Sequence, residues 1–572
     1  MDRAISKPGA IAFLIAVFLN AFVDLGHKIV IQNTVFKMYD GAEQIVLTAV
    51  LNGLILLPFI MLFIPAGHAS DRFPKTRVMR ATAWAAVILT VGITLSYQLG
   101  LFWVAFAMTF LLAVQSAFYS PAKLGYIKAY FGSERLAEMN GVVQAASIVA
   151  ILAGTLLFSI LFELWYPDGA QSKSTVLQAI VPAGFLLVAN NVIQLLMVYR
   201  LHNPEPPSKV APFDYRGFLG GRLFAQNLAP VWANRSLRNA IAGLAVFWSI
   251  GQVMLAAFPA FAKAQTGTTN TIVIQAIVAS AGIGIAVGAW LAGRVSRGYI
   301  ETGILPLGAA GFSFLLLLMP TLDSLPLMGL SFLCIGIAGG LFIVPLNALV
   351  QFHASEEKLG QTLAANNLAQ NIAMISFLML TALSALAGVS GQSLLLAIGV
   401  FAIAGGSLTA WRIPQSLIRV LSVAVVRRRH AVAVEGIRNI PQQGSVLLHG
   451  EYCSPDDWLL LQIACPRPIR FFMQRDARYP AWFSRRLGVH ETAGGSIDDV
   501  PLDEVTDLLD QGCVVCILPA SPTPPSWEDH IDSRLCYSLK PSHSDRTGSS
   551  QQAASTGRTL VQFHARSSAG TV

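Results

Sequence analysis

Two charged side chains and one amide follow one another along the first long apolar segment of the sequence. Asn20, Asp24 and Lys28 are spaced at i, i+4 and i+8, which places them on one face of a helix. A charge near the centre of a membrane segment costs about 2.5–3.5 kcal/mol on insertion scales, so such residues usually face a cavity and mark a path for a polar solute. We therefore expect this face to bind a charged ligand, because a carboxylate attracts cations and an ammonium attracts anions.

A second interpretation of the same residues is structural. Asp24 and Lys28 could neutralise each other near the outer end of the helix, because the count from the segment's start places Asp24 in the outer half. The neighbouring His27 lies off the shared face and is predicted to reach the interface as a helix-end residue. Both interpretations remain open from the sequence.

Amide side chains recur in the later apolar segments. Amides can bind a substrate, but they can equally join helices to one another through hydrogen bonds. With the three residues of the first segment, the candidates for a substrate path are Gln115, Asn140, Gln144, Gln252, Asn366, Asn367 and Gln370.

A short basic hairpin separates two apolar segments. It reads Gly67-His-Ala-Ser-Asp71-Arg72-Phe-Pro-Lys-Thr-Arg77 and packs five ionisable residues into a turn. Loops dense in Lys and Arg lie on the cytoplasmic side of a membrane, so this hairpin predicts the orientation of the chain.

The elements that must position these residues are membrane helices. The chain has 572 residues, of which 12% are charged and 54% hydrophobic, and its mean hydropathy is +0.58, which is typical of a polytopic membrane protein. The hydropathy pattern predicts twelve spans, at 9–32, 44–66, 78–99, 101–120, 139–162, 175–199, 237–261, 270–293, 302–320, 325–349, 362–387 and 391–411.

Basic residues gather on alternate connections between these spans. The opposite side carries only Lys37, Lys173 and Lys263, which predicts that both termini are cytoplasmic. A long basic connection at 200–236 separates halves at 9–199 and 237–411, and a substrate path between the halves follows from that division. The modest net charge of +8 reports this orientation rather than nucleic-acid binding.

The hairpin resembles the signature between the second and third helices of the major facilitator superfamily, although Pro74 stands where that family usually has Gly. The resemblance implies that Gly67 lets two helices approach closely. It also implies that Asp71, with Arg72 and Arg77, latches one conformation. The second half repeats the pattern weakly, as Gly288-Ala-Trp-Leu-Ala292-Gly-Arg294, with Ala where the Asp would fall.

Five further motifs are similar to the lysophospholipid transporter family across residues 10–410. They are Phe18-Leu-Asn-Ala-Phe-Val-Asp24, Phe118-Tyr-Ser-Pro-Ala-Lys-Leu-Gly-Tyr126, Asn140-Gly141, Glu301-Thr-Gly-Ile-Leu-Pro-Leu-Gly308 and Ala365-Asn-Asn-Leu-Ala-Gln-Asn371. The resemblance implies a flippase that moves lysophospholipids, chiefly lysophosphatidylethanolamine, to the cytoplasmic leaflet of a bacterial inner membrane. Its implied partners are that substrate and membrane lipids, with no cofactor. Because no ATP-binding loop is evident, the implied transport is facilitated or secondary.

The character of the sequence changes after the last span. Residues 412–430 predict a basic amphipathic segment against anionic lipid. Residues 431–525 contain three motifs, Ala431-Val-Ala-Val-Glu-Gly-Ile-Arg-Asn-Ile-Pro441, Gly444-Ser-Val-Leu-Leu448 and Trp458-Leu-Leu-Leu-Gln462. These motifs resemble the opening of a glycerophospholipid acyltransferase domain, which would be a partial α/β domain. Residues 526–572 are rich in Ser, Thr, Pro and Gly and predict a disordered tail.

The acyltransferase-like part departs from the family at its catalytic positions. The family uses a His oriented by an Asp as general base, but Tyr452 stands at the His position while Asp457 matches the Asp. Arg475 is a remnant of the second block, and Ala520 replaces the Glu of the third. An unactivated phenol is a poor base near neutral pH, since its reference pKa is about 10. We therefore expect a domain without catalytic activity.

Three alternatives to a lysophospholipid transporter remain. One is a drug or solute exporter of the same superfamily. Another is a working acyltransferase in which His449 takes the missing role. The last is a scaffold that recruits a separate acyltransferase. No metal site is predicted, since Cys513-Val-Val-Cys516 lies in an apolar run that indicates a buried strand.

Overall fold

The computed structural model describes most of the membrane part of the chain and selected segments beyond it. The described residues are 9–131, 136–167, 169–202, 213–296, 300–353, 359–412, 416–417, 420, 431–435, 444–450, 461–462, 465, 467, 469–474, 485, 488–492, 500–511, 513–518, 536–542 and 558–565.

Long helices account for most of the first 412 residues. In chain order they are α1 Ala10–Met38, α2 Gly41–Met61, α3 Phe63–Arg72, α4 Lys75–Gln98, α5 Phe102–Phe131, α6 Leu136–Trp165, α7 Lys173–Ala179, α8 Val181–Tyr199, α9 Tyr215–Leu219, α10 Arg222–Ala233, α11 Arg235–Thr266, α12 Thr271–Val295, α13 Ile304–Leu318, α14 Leu325–His353, α15 Leu359–Leu386 and α16 Gly391–Arg412.

Within the described residues, 12 helices are long and apolar enough to cross a membrane, which confirms the predicted number of spans. They are α1, α2, α4, α5, α6, α8 and α11 to α16. The largest difference from prediction concerns the fourth span, which was expected to end at residue 120. The helix α5 instead continues through Pro121 to Phe131, so Lys123 lies inside a helix and not in a loop. The connection predicted at 200–236 contains the short helices α9 and α10.

The chain forms two compact units. One comprises Met1–Gly288 with Gly311–Ile403, and the other comprises Ala289–Ala310 with Ala404–Val572. The first therefore contains the whole first half of the predicted transporter and much of the second. The division differs from the predicted boundary at 411, because residues 404–411 belong to the second unit.

The first half packs around α1. This helix contacts α6 and α8, and its Phe22 ring lies 5.4 Å from the ring of Phe158 on α6. A Cβ atom on Gly26 would lie 2.4 Å from the Phe158 ring, so glycine is required there for the ring to reach the helix. The polar face of α1 is thus held beside a tightly packed aromatic contact.

The second predicted span is broken into two helices. Helix α2 ends at Met61 and α3 begins at Phe63, with Leu62 between them at φ −102° and ψ 5°. Pro65 explains the break, because it has no N–H to donate to the carbonyl four residues earlier and its ring crowds that carbonyl. The helix α3 then carries the first part of the hairpin, as far as Arg72.

The second compact unit contains a mixed β-sheet. Its strands are β1 Ala431–Glu435, β2 Val446–Gly450, β3 Ile469–Gln474, β4 Val489–Thr492, β5 Val514–Leu518, β6 Cys536–Ser542 and β7 Arg558–Ala565, and the helix α17 Leu502–Asp510 precedes β5. The strand order is β1-β7-β6-β2-β5-β3-β4. Every described pairing is parallel except that of β6 with β7.

The sheet extends into the stretch for which the sequence predicts disorder. Strands β6 and β7 lie within residues 526–572, and β6 pairs with the central strand β2. The prediction of a disordered tail is therefore wrong for residues 536–542 and 558–565. Cys516 is fully buried in β5, as the apolar run predicts, whereas Cys513 precedes that strand and is half-buried.

Glycines bring α12 and α14 into backbone contact. A Cβ atom on Gly284 would lie 2.1 Å from the carbonyl oxygen of Leu333, and one on Gly336 would lie 2.1 Å from that of Ala281. Gly288 is equally close, at 2.2 Å from the carbonyl oxygen of Ile337. Small residues four apart permit this packing in membranes, where apolar surface alone does not drive helices together. By contrast, a Cβ atom on the hairpin's Gly67 would meet nothing within 4 Å, so the predicted close approach is wrong there.

We expect Gly336→Ala to lower the melting temperature of the purified chain in detergent. The new Cβ atom must displace the Ala281 carbonyl, and overpacking of this kind costs about 1–3 kcal/mol. Gly53→Ala is the matched control, because a Cβ atom there meets nothing within 4 Å and the exchange removes glycine's entropic cost. An unchanged melting temperature for Gly336→Ala would contradict the glycine contact.

Candidate functional site

Helices α1 and α5 run antiparallel and fix the depth of the polar residues. At one end the Phe13 ring lies 5.0 Å from the Tyr126 ring, and further along His27 Nε2 lies 3.2 Å from the Thr109 hydroxyl. Asp24 is the central residue of the 29-residue helix α1, and it meets Ser116 of α5. The prediction that Asp24 lies in the outer half of its span is therefore wrong, because the helix continues to Met38.

Asp24 belongs to a network of hydrogen bonds that joins three helices. Its carboxylate accepts from the Ser116 hydroxyl and from Asn20 Nδ2, the latter at 3.3 Å. The Asn20 side-chain oxygen accepts from Gln115 Nε2 at 3.4 Å and from Gln194 Nε2 of α8 at 3.1 Å. The structure thus brings together three predicted residues, Asn20, Asp24 and Gln115, and adds Ser116 and Gln194 to them.

One lysine lies on each side of Asp24 along the bundle axis. Lys28 is one turn away on α1, about 6 Å toward the end opposite the hairpin. Lys123 is two turns beyond Ser116 on the same face of α5, about 10 Å toward the hairpin end.

The proposed mutual pair of Asp24 with Lys28 is not formed. Among the ion pairs of the described residues, none joins these two side chains, and the Asp24 contacts are with Ser116 and Asn20. Asp24 is held by neutral donors and lies between two cations. This arrangement leaves both lysines available to a ligand.

The remaining predicted path residues do not join this network. Asn366 is buried on α15 and accepts from Gln370 Nε2 at 2.7 Å, whereas Asn367 is exposed. Gln144 is exposed on α6, and Gln252 is half-buried on α11. The side chain of Asn140 lies outside the described residues.

His27 is buried, and not an interfacial end residue as predicted. Its Nδ1 lies 2.8 Å from the Tyr97 hydroxyl, and its Nε2 lies 3.1 Å from the Ala105 carbonyl oxygen. The carbonyl can only accept, so Nε2 carries a proton and donates to it. His27 therefore joins α1, α4 and α5 through hydrogen bonds.

The hairpin makes local contacts in this conformation. Asp71 is exposed and lies 3.5 Å from Lys75, four residues later, while Lys75 Nζ donates to the Ser70 carbonyl at 2.5 Å. The guanidinium carbons of Arg72 and Arg77 lie 5.8 and 5.6 Å from the centre of the Phe73 ring. An exposed pair of this kind contributes at most about 1 kcal/mol, so the latch function of Asp71 stays a prediction.

The two halves are joined at the end opposite the hairpin. We call this set of contacts the clasp. It begins with Lys263 of α11, which donates to the Phe36 carbonyl at 2.8 Å and the Tyr39 carbonyl at 3.2 Å and pairs with Asp40 at 2.7 Å.

Two further contacts complete the clasp. Glu163 of α6 pairs with Lys37 at 2.9 Å and accepts from the Thr271 backbone N–H at 2.5 Å, which caps the start of α12. Gln275 Nε2 of α12 donates to the Asn33 side-chain oxygen at 3.2 Å. The clasp therefore joins the two halves at that end.

Sequence reasoning missed the clasp although one signal was present. Lys37, Lys173 and Lys263 were the three lysines left on a side otherwise poor in basic residues, and each of them makes a specific contact. Lys173 donates to the Tyr39 hydroxyl at 2.5 Å within the first half. Gln194 and Lys123 gave no such signal, because their contribution depends on how α1, α5 and α8 align.

Four positions of the acyltransferase-like part lie outside the described residues: Tyr452, Asp457, Arg475 and Ala520. His449, the alternative general base, belongs to β2.

Comparisons with known proteins address the membrane part of the chain. The family model of the Major Facilitator Superfamily matches residues 13–378. The lysophospholipid transporter LplT of Yersinia enterocolitica is 28% identical over 383 residues, which covers 66% of this chain and 87% of that protein. LplT of Salmonella arizonae is 28% identical over 430 residues, which covers 72% and 97%.

Solved structures show the same fold. A bacterial homolog of the human lysosomal transporter Spinster, in an inward-facing and occupied conformation, has a TM-score of 0.55 at 14% identity, covering 71% of this chain and 97% of that one. A POT family transporter in complex with 5-aminolevulinic acid has a TM-score of 0.53 at 12% identity, covering 71% and 96%.

We expect Lys263→Met to open the clasp. The variant loses three contacts to the end of α1 and to the connection that follows it. Hydrogen bonds to charged groups are worth about 1.5–3 kcal/mol, so opening should rise roughly tenfold or more. The measurement is the labelling rate of Thr48→Cys, a buried position below the clasp, by a membrane-impermeant maleimide.

Lys173→Met is the control for this experiment, because its contact lies within one half. The native cysteines are accounted for with a chain that lacks the Thr48 substitution. Equal labelling with and without Lys263, or an equal rise in the Lys173 variant, would show that Lys263 does not hold the halves together.

Proposed function

The chain belongs to the Major Facilitator Superfamily, and on that premise we propose that it is a lysophospholipid transporter that carries lysophosphatidylethanolamine to the cytoplasmic leaflet. The observation that carries the proposal is Asp24, a carboxylate at the midpoint of a membrane helix with neutral donors around it and a lysine on either side. The names of the relatives point to the same class of substrate.

The head group of lysophosphatidylethanolamine carries one cation and one anion. In the proposed complex the ammonium approaches the Asp24 carboxylate, and the phosphate approaches a lysine. In the conformation with a closed clasp, Lys123 is the lysine toward the open end and binds the phosphate. Lys28 takes that role when the opposite end is open.

The neutral hydrogen-bond donors around Asp24 suit a substrate that must be released after binding. Neutral donors hold the carboxylate in position without neutralising it, so its charge remains available to the ammonium. A mutual ion pair would have to be broken for each lipid carried. Gln194 anchors Asn20 from α8, so α8 helps to position the site without touching Asp24.

The proposed orientation places the hairpin and both termini in the cytoplasm of a bacterium and the chain in its inner membrane. The basic character of the hairpin supports this, since Lys and Arg favour the cytoplasmic side. The clasp then lies on the outer side. The conformation is therefore closed to the outside, and the head group at Asp24 is delivered inward.

The acyltransferase-like piece is proposed to be a vestige of an enzyme that re-acylated the delivered lipid. Its support is the family resemblance together with the parallel strands β2, β5, β3 and β4. Tyr452 and Ala520, which replace the general base and the third-block Glu, support the loss of catalysis.

The primary test is uptake of labelled lysophosphatidylethanolamine by spheroplasts that express the chain, compared with a labelled solute of the drug-exporter class. Faster uptake of the lipid than in spheroplasts without the chain is the expected result. Movement of the solute without movement of the lipid would overturn the proposal in favour of an exporter.

Asp24→Asn should reduce transport of lysophosphatidylethanolamine more than transport of lysophosphatidylglycerol, whose head group has no cation. The exchange keeps the shape of the side chain but removes its charge, and one charge-assisted contact is worth about 1.5–3 kcal/mol, or roughly tenfold to hundredfold. Initial rates for the two lipids in the same proteoliposomes give the comparison.

Asp214→Asn is the matched control, because Asp214 is a carboxylate outside the spans that caps α9, and asparagine caps equally well. Equal losses for both lipids in Asp24→Asn would assign the residue to gating or folding. Unchanged rates for both would remove it from the site.

A chain shortened after residue 430 should still transport, whereas one shortened after Trp411 should be unstable. Within the second compact unit, Thr302 donates to the Ser416 hydroxyl at 2.9 Å, and Gly303 packs against the Ser416 carbonyl. Removing residues beyond 411 uncovers that surface. Transport by both chains is compared at equal amounts in the membrane, and failure of the longer one would make the α/β piece part of the transporter.

A further inference from the structure

A lateral groove opens between α3, α4 and α5, apart from the path between the two halves. We call it the hairpin-side groove, and its volume is about 640 Å³. Its walls are almost entirely apolar and include Ala81, Ala85 and Leu89 of α4 and Leu111 of α5. Ile88, also in its wall, is 67% exposed, so the groove opens sideways, toward the lipid tails.

One end of the groove carries a cation. Arg77 lines it beside Phe73, at the start of α4, and forms no ion pair with a carboxylate of the described residues. Its guanidinium therefore has donors free for an anion, and the planar fork of arginine suits a phosphate. A membrane interface would lie at this end of the groove, because the hairpin leads into α4 there.

The other part of the groove reaches the polar network. Gln115 lines the groove, and its Nε2 also donates to the Asn20 side-chain oxygen. Its own side-chain oxygen lies 3.1 Å from the Ser116 hydroxyl, which donates to Asp24. The buried Gln115 side chain thus belongs both to the hairpin-side groove and to the polar network around Asp24. A change of its rotamer would open a connection between the groove and Asp24.

The length of the groove fits one leaflet. The lining residues of α4 run from Arg77 to Leu89, which is about 18 Å at 1.5 Å per residue. A hydrocarbon core is about 30 Å thick, so one leaflet is about 15 Å deep. A lipid whose phosphate lies at Arg77 would extend its chain along the groove to the middle of the membrane.

We propose that the hairpin-side groove holds the single acyl chain of the lysophospholipid as it leaves for the adjoining leaflet, with its phosphate on Arg77. The inference rests on the proposed function and adds an exit site to it. The head group passes from Asp24 beside Gln115, while the tail stays in apolar surroundings. Transport then does not require the acyl chain to cross water between the halves.

The test uses lysophosphatidylethanolamine with a photoreactive diazirine at the end of its acyl chain, bound to the purified full chain in nanodiscs. Mass spectrometry maps the covalent products after illumination. The expected products lie on α4 and α5 near Leu89 and Leu111. Products confined to other helices would overturn the proposal.

Two pairs of variants separate the groove from its surroundings. Ala85→Phe should lower labelling by about tenfold, because its ring occupies the part of the groove in which the acyl chain would lie. Ala107→Phe adds the same group to an exposed position of α5 outside the groove and should have no effect. Arg77→Gln should lower labelling, whereas Arg72→Gln, at the same end but outside the groove, should not.

Two controls distinguish the possible failures. If excess diacyl phosphatidylethanolamine removes the labelling as well as excess lysolipid does, the groove holds ordinary membrane lipid and the proposal is wrong. If wild type transports the lysolipid but the Ala85 and Arg77 variants label and transport normally, the exit site is wrong while the proposed function stands. If the wild-type chain is neither labelled by the lysolipid nor able to transport it, the exit site and the proposed function are both wrong.

Discussion

The position of Asp24 at the midpoint of α1 is the constraint on which the rest of the first half depends. A carboxylate at that depth costs several kcal/mol unless donors reach it, and α5 and α1 supply them through Ser116 and Asn20. Asn20 is in turn held by Gln194 of α8, so three helices must keep their register for one side chain. The contact of Phe158 with Gly26 fixes α1 on its other side. The same register of helices therefore satisfies the polar groups around Asp24 and packs the apolar side chains.

The contacts between helices differ in kind according to whether they must break. Between α12 and α14, glycines bring backbones together over two turns, and such a contact favours permanent packing. Between the halves, the described hydrogen bonds and ion pairs lie in the clasp, where Lys263 makes three contacts and Glu163 and Gln275 make one each. A small number of polar contacts near an interface can be exchanged for water at modest cost, which is what an alternating gate requires.

Hydropathy predicted the twelve spans because each span is long and apolar enough to be recognised from its own residues alone. It also predicted the polar face of α1, since i and i+4 spacing depends on one helix alone. It could not predict Gln194 or Lys123, because their distance from Asp24 is set by the alignment of different helices. The fourth span was predicted to end at residue 120, but its helix continues to Phe131. Gly67 suggested a close approach that occurs instead at Gly288. Strands β6 and β7 were missed because their composition predicts disorder, while their pairing depends on β2.

Binding of a zwitterionic lysolipid at Asp24 is the step from which the proposed transport follows. An experimental structure of the full chain with lysophosphatidylethanolamine bound is the decisive measurement. With the clasp closed, we expect density for the ammonium within about 4 Å of the Asp24 carboxylate, the distance of an ion pair, and density for the phosphate toward Lys123. A head group bound elsewhere, with Asp24 still bonded only to Ser116 and Asn20, would contradict it.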